Sequence, residues 1–270
     1  MYLYQECSLL TLNPLVFLNL SASYFKPKLT RKLNTTNFIS PNSNTKALTI
    51  FGQNLGSTIG FKFTRNQLSN IKLAPYSKSV IIGLLLSDGW TRISSGSINA
   101  GFYFEQSLAH FPYLWQVYNI LSHYCPSFIK FKIRIAKRIN RKDTFSLLFY
   151  TRTMPCITEI HTLFYSSGKK ILPENIFELL DPIALAHWIC GDGKARSHGL
   201  MLNTESFSLV EVVKLINILI IKYNLECTLR KVREDQYAIY IREKSMKTLI
   251  QIVKPYIDSS MLYKIIPNKK

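Results

Sequence analysis

Ile81-Ile-Gly-Leu-Leu-Leu-Ser-Asp-Gly89 and Leu185-Ala-His-Trp-Ile-Cys-Gly-Asp-Gly193 decide how this chain folds. Each is an apolar run that closes on Asp-Gly, and a glycine directly after such a run predicts a helix stop. The two Asp-Gly pairs lie 104 residues apart. Downstream, Lys170-Ile-Leu-Pro173 and Lys264-Ile-Ile-Pro267 repeat a second pattern 94 residues apart. Two short patterns recurring in near register point to an internal duplication.

The residues between the repeats support it. After the first run, strand-like stretches fall at 90–93 and 100–107, a helix at 110–124, strands at 129–136 and 144–152, and a helix at 154–165. After the second come strands near 199–206, a helix at 209–223, strands at 226–233 and 236–241, and a helix at 244–256. Each pass reads αββαββα, so the expected fold class is α+β with two pseudo-symmetric modules. One chain with an internal two-fold suits a duplex whose strands are themselves related by two-folds.

Composition narrows the partner. The chain has 270 residues, 47% of them hydrophobic, enough for a sizeable core. Thirty-four Lys and Arg against sixteen Asp and Glu leave a net charge of +18, a surface that seeks a polyanion. No window approaches ~18 consecutive apolar residues, the length a spanning helix needs. Five cysteines (7, 125, 156, 190 and 227) include no C-x-x-C pair, which argues against a disulfide framework or structural zinc site and for a reducing compartment. Residues 1–75 carry eight Lys and Arg but only one acid, Glu6, and the stretch 21–58 is rich in Ser, Thr and Asn. Residues 1–70 are therefore expected to be a poorly ordered basic leader or reading-frame extension, with a cleaved organellar presequence as the alternative. The modules are expected at 71–173 and 174–270.

The stretch Ile129-Lys-Phe-Lys-Ile-Arg-Ile135 alternates strictly. As a strand it places Lys130, Lys132 and Arg134 on one face, and Lys137 and Arg138 extend the charge. Arg230, Lys231 and Arg233 stand at the corresponding place in the second pass. Such a ribbon fits a DNA groove, where Arg and Lys read guanine edges or hold phosphates; the competing reading is an edge strand kept soluble by charge. The aromatics scattered through the strands read as core.

The paired runs, each heading an αββαββα pass and each followed by Lys-Ile-x-Pro, resemble the two motifs of single-chain LAGLIDADG homing endonucleases of the type encoded in organellar introns. The resemblance spans roughly residues 75–268. Two positions depart from the pattern: the usually acidic sixth is Leu86 and Cys190, and the usually small third is Gly83 in one copy but His187 in the other. The resemblance implies two modules packed through their motif helices, with concave antiparallel sheets that bind DNA. It also implies a monomer that cleaves a double-stranded DNA site, with Asp88 and Asp192 as catalytic metal ligands, Gly89 and Gly193 beside them in the metal set, and Lys170 and Lys264 supporting transition-state charge. Gln106 and Glu205, after the first strand pair of each module, are candidates to hold the attacking water or support the metal shell. The implied cofactor is Mg²⁺, with Mn²⁺ as substitute, and the implied compartment is the mitochondrion, with the chloroplast as alternative. A second reading on the same fold is a group I intron maturase that binds intron RNA.

The carboxylates also carry their own argument. An Asp at a helix C-terminus opposes the macrodipole, and a bound cation would remove that conflict. If the two runs pack side by side, Asp88 and Asp192 converge as hard oxygen ligands suited to Mg²⁺. The plainer alternative is that Asp-Gly only terminates each helix.

Overall fold

Thr64 and Gln67 form a reciprocal capping box, the Thr64 amide donating to Gln67 Oε1 at 2.8 Å and the Gln67 amide to Thr64 Oγ1 at 3.3 Å. That box starts helix α1 (Arg65–Asn70). The computed structural model describes residues 58–134 and 144–266, which fall in one compact unit. Lys137 and Arg138 lie outside the described residues. Helix α1 falls within the stretch expected to be a poorly ordered leader; the partly buried Ile59 and Leu68 pack on the core, so the folded chain begins at least twelve residues before the expected boundary.

The first module follows as α2 (Pro75–Leu85), β1 (Gly89–Ile93), β2 (Ala100–Ser107), α3 (Phe111–Leu121), β3 (Lys130–Arg134), β4 (Thr144–Tyr150) and α4 (Pro155–Phe164). A short hairpin, β5 (Tyr165–Ser166) with β6 (Lys169–Lys170), and a one-turn helix α5 (Ile176–Leu179) lead to the second. There α6 (Pro182–Asp192), β7 (Gly193–Arg196), β8 (Gly199–Asn203), α7 (Leu209–Tyr223), β9 (Cys227–Arg233), β10 (Gln236–Arg242) and α8 (Glu243–Val253) repeat the αββαββα order, and a 3₁₀ turn, Ser259–Lys264, ends it. Both four-stranded sheets are antiparallel and share one topology, β1-β2-β4-β3 and β7-β8-β10-β9.

Side chains alternate across each sheet, so register assigns the faces. Phe102, Phe104 and Phe149 point to the helices and are buried. The opposite face of the first sheet carries Trp90, Tyr103 and Tyr150, paired across β1, β2 and β4. Their rings stack at 5.7 and 5.6 Å, and the ammonium of Lys130 lies 4.7 Å from the Tyr150 ring. These half-buried aromatics form a row on the outer face and are not core, because register turns them away from the helices.

Helices α2 and α6 are apolar on all sides, and a helix of that kind is stable only when enclosed. Val80–Leu85 and Ala184–Cys190 are indeed buried throughout. The helices pack directly on each other, and the departure at the third motif position explains how. A Cβ on Gly83 would collide with the carbonyl oxygen of Ala184 and lie 2.8 Å from the Cβ of His187. The glycine of one helix thus makes room for the histidine of the other. His187 is fully buried, its Nδ1 sits 2.9 Å from the Tyr113 hydroxyl, and desolvation lowers its pKa to about 4, which keeps the ring neutral. Asp181 caps α6 by accepting from the Ala184 amide at 2.8 Å and also takes a hydrogen bond from Ser79 of α2, which ties the two helix starts together.

Candidate active site

The two Asp-Gly pairs leave α2 and α6 at the same end of the packed helix pair. Gly89 and Gly193 do not adopt the left-handed backbone of a helix stop; Gly193 is extended, with φ −69° and ψ 139°. They are glycines because the strand departs against the helix end. A Cβ would lie 2.9 Å from the Leu84 carbonyl oxygen at Gly89 and 2.8 Å from Ile189 Cγ2 at Gly193.

Asp88 and Asp192 converge. Oδ2 of Asp88 lies 3.4 Å from where a Cβ on Gly191, the neighbour of Asp192, would stand. Removal from water, followed by the repulsion of Asp88, raises the Asp192 pKa to about 7, and Lys264 and Lys170 oppose that rise. The amine of Lys170 faces the carbonyl oxygens of Ser87 and Gly89 at 3.5 and 3.4 Å. In the other half, the buried Lys264 donates to the carbonyls of Cys190 and Gly191. Desolvation lowers both lysines, Lys170 to about 8, while both aspartates pull them back up. Four ionisable groups from two halves of the chain therefore share one field. Of the two glycines assigned to the metal set, Gly89 turns its carbonyl toward Lys170, and in the second half Gly191 rather than Gly193 plays that part.

The halves differ in how each aspartate is supported. Gln106, on the buried face of β2, donates from Nε2 to Asp88 Oδ2 at 2.7 Å, and its Oε1 meets His110 Nδ1 at 3.2 Å. Register places Thr204, not Glu205, at the matching point: Gly89 pairs with Phe104 and Gly193 with Leu202, and Gln106 and Thr204 each stand two residues further along. The Thr204 hydroxyl donates to the Tyr237 carbonyl at 2.7 Å. Glu205 is exposed in the turn after β8, near enough to raise the Asp192 pKa by its charge, but no more an equivalent of Gln106 than any turn residue. Sequence spacing missed His110 and Thr204, which no motif flags.

Among the described residues no group of three or more His, Cys, Asp or Glu side chains gathers in a metal-binding cluster. Two carboxylates whose mutual charge is unfavourable are a donor set that fits a hard, hydrated divalent cation, which takes one or two protein carboxylates and completes its shell with water and phosphate.

Of the basic residues, Lys130 and Lys132 share the outer face of the first sheet as alternation requires. Lys130 donates to the Tyr150 hydroxyl at 2.8 Å, whereas Lys132 is paired with Glu105 at 2.8 Å. Arg134 ends β3 opposite Thr144. Arg230 and Lys231 are adjacent in β9 and so face opposite sides; Arg230 is the one on the outer face, 5.2 Å from the Tyr240 ring. A register shift at Gln236/Tyr237 separates Arg233 from that alternation. The three do not form one ladder, because Arg230 and Lys231 are neighbours along the strand, whereas Lys130, Lys132 and Arg134 are spaced two apart.

Two apolar helices packed in parallel over paired antiparallel sheets, with an aspartate at the end of each, define the architecture of one endonuclease family. Residues 78–249 match the model of the LAGLIDADG DNA endonuclease family, and the chain belongs to it. It is 36% identical over 190 residues to the cytochrome b mRNA maturase bI2 of Debaryomyces hansenii, covering 69% of this chain and 72% of that one. It is 38% identical over 146 residues to the intron-encoded endonuclease ai4 of Dictyostelium discoideum, covering 53% of this chain and 92% of the other. The fold matches the homing endonuclease I-WcaI, solved bound to its DNA recognition sequence, with a TM-score of 0.68 and 24% identity over 76% of this chain and 91% of that one.

Proposed function

We propose that this protein is a monomeric, intron-encoded homing endonuclease that cuts both strands of one DNA site in an organelle, the mitochondrion, and so spreads its intron. The observation that carries this reading is the meeting of Asp88 and Asp192 beside Lys170 and Lys264 at the end of the helix pair. The outer sheet faces, with Lys130, Lys132 and Arg230, are the DNA-binding surface, and phosphate contacts there give affinity while base edges give preference. A divalent cation held by the two carboxylates, Mg²⁺ or in its place Mn²⁺, supplies charge neutralisation at the scissile phosphate. Asp88 and Asp192 hold that charge in place, and Gln106 orients Asp88 by donating to its Oδ2. Lys170, lowered by burial to about 8, holds or yields a proton near neutral pH beside one scissile bond, and Lys264, also lowered by burial, places its amine beside the other.

The test is cleavage of a duplex that spans the intron-free exon junction of the host gene. Asp88→Asn and Asp192→Asn should each abolish double-strand cutting while DNA affinity stays within roughly tenfold, about 1.4 kcal/mol. Full cutting by either variant in Mg²⁺ would remove the carboxylates from the mechanism.

A second reading is favoured by one observation, that relatives at 36% and 32% identity are named cytochrome b mRNA maturases. In that reading the same basic surface binds group I intron RNA, with cleavage as a separate activity. The Asp88→Asn, Asp192→Asn double variant separates the two, since a maturase role predicts that it still promotes splicing of its intron.

A further inference from the structure

The four strands of the first sheet contain a single acid, Glu105, on the strongly basic outer face. Register puts it there with Trp90, Tyr103, Tyr150, Lys130 and Lys132. Its Oε2 accepts from Lys132 Nζ at 2.8 Å and its Oε1 from Ser146 Oγ at 2.7 Å. The three residues bridge β2, β4 and β3. The Glu105 side chain is 10% exposed and that of Lys132 41% exposed, so the lysine head is the part a duplex reaches first.

A polyanion meeting this face finds Lys132 already neutralised. To hold a phosphate, Lys132 must give up its ion pair with Glu105, and that carboxylate repels the incoming negative charge. Generic phosphate binding is therefore penalised at this point of the sheet. The penalty is relieved where a base edge supplies an amino donor, because a carboxylate accepts from cytosine N4 in the major groove. Specificity arises from such repulsive elements as well as from attractive ones.

We infer that Glu105 is a specificity-determining residue: paired with Lys132, it weakens binding to arbitrary duplex and favours a target with an amino-bearing base edge at this point of the half-site. The inference rests on the outer sheet face being the DNA-binding surface. Its competitor is a pair that only fastens β2 to β3 across β4 and never meets DNA.

The experiment measures affinity for a mixed-sequence duplex against salt concentration, for the full chain and for Glu105→Gln, Lys132→Gln, the double variant and Lys130→Gln, with thermal melts to establish folding. The same proteins then select from a pool of randomised duplexes. Glu105→Gln, which keeps an acceptor for Ser146, should steepen the slope of log K against log salt by about 0.9, one additional cation's share. Lys132→Gln should leave the slope near that of the parent, and the double variant should resemble it. Selection with Glu105→Gln should lose preference at one or two adjacent base pairs. If Lys130→Gln flattens the slope while Glu105→Gln changes neither slope nor selection, the inference fails and the DNA-binding surface stands. A steeper slope with unchanged selection removes the specificity role. If no variant moves the slope, this sheet face is not the DNA-binding surface, and the proposed interface falls together with the inference.

Discussion

The side-chain amide of Gln106 donates to Asp88 at 2.7 Å, and no comparable bond reaches Asp192 among the described residues. The pseudo-two-fold that relates the sheets thus stops short of the aspartates. Gln106→Ala should release Asp88 to other rotamers and slow cutting of one DNA strand about 10- to 100-fold, the usual cost of losing a group that orients a ligand. Nicked product should then accumulate on the way to the double-strand break. Time courses with each strand end-labelled read this directly, and equal slowing of both strands would mean that Gln106 serves the pair rather than its own half.

Asp192 yields a pH prediction with a defined sign. Its pKa is raised to about 7 from a reference of 3.8, mainly by desolvation, so the folded state binds that proton more tightly than the unfolded state. The resulting stabilisation is complete below pH 4 and is lost as pH rises through 7. In chelator, Asp192→Asn should therefore match the parent near pH 4 and exceed it at pH 8 by roughly 4 kcal/mol, at about 1.36 kcal/mol per pKa unit. Divalent metal should restore the parent and leave the variant unmoved. Urea melts at the two pH values check it, and a variant no more stable than the parent at pH 8 would mean that Asp192 is not confined in a dry, anionic site.

Much of this architecture is legible in the sequence because local and tertiary signals agree. Helix α7 falls on the expected residues, 209–223, since Ser208 and Glu211 form a capping box, the apolar positions recur at helical spacing, and Asn224 closes the helix in left-handed backbone. The convergence of Asp88 and Asp192 is expected once the two motif helices pack side by side, and the close approach at Gly83 and Gly191 supplies that packing. What stays hidden depends on register. Their common place after the first strand pair makes Glu205 the match for Gln106, whereas strand pairing selects Thr204, one residue earlier. The row of Trp90, Tyr103 and Tyr150 is hidden for the same reason, as an aromatic in a strand carries no mark of which face it takes. Lys132 reads as a free cation until the fold brings Glu105 from 27 residues away to meet it.

Gly83→Ala sets two effects of opposite sign against each other. In an exposed helix the change would stabilise by about 1 kcal/mol, the difference in helix propensity. Here the new methyl would collide with the Ala184 carbonyl and with His187 Cβ at 2.8 Å, in a contact between two helix backbones that have little room to move. Overpacking of a rigid core typically costs 1–3 kcal/mol. A net destabilisation of about 1–2 kcal/mol is expected in urea denaturation with an unchanged m-value. A stabilised variant would mean that α2 and α6 pack less closely than this geometry requires.

Arg152 fastens residues 58–63 to the first module. Arg152 is 8% exposed and, among the described residues, pairs with no acid; its guanidinium donates to the carbonyls of Thr58 at 2.6 Å, Phe61 at 3.2 Å and Cys125 at 2.7 Å, and lies 4.4 Å from the Phe63 ring. Burial lowers its pKa, and those carbonyls offset the cost of holding the charge away from water. A chain starting at Ile71 loses Thr58, Phe61 and Phe63 together and leaves a buried cation with only the carbonyls of His123 and Cys125, which costs about 3 kcal/mol or more. A chain starting at Thr58 keeps all of them. The shorter chain should therefore melt well below the longer one, and Arg152→Met should recover part of the loss in the shorter chain while harming the longer. Equal melting of the two truncated chains would show that 58–70 lies on the module without supporting it, and that Arg152 finds water in its place.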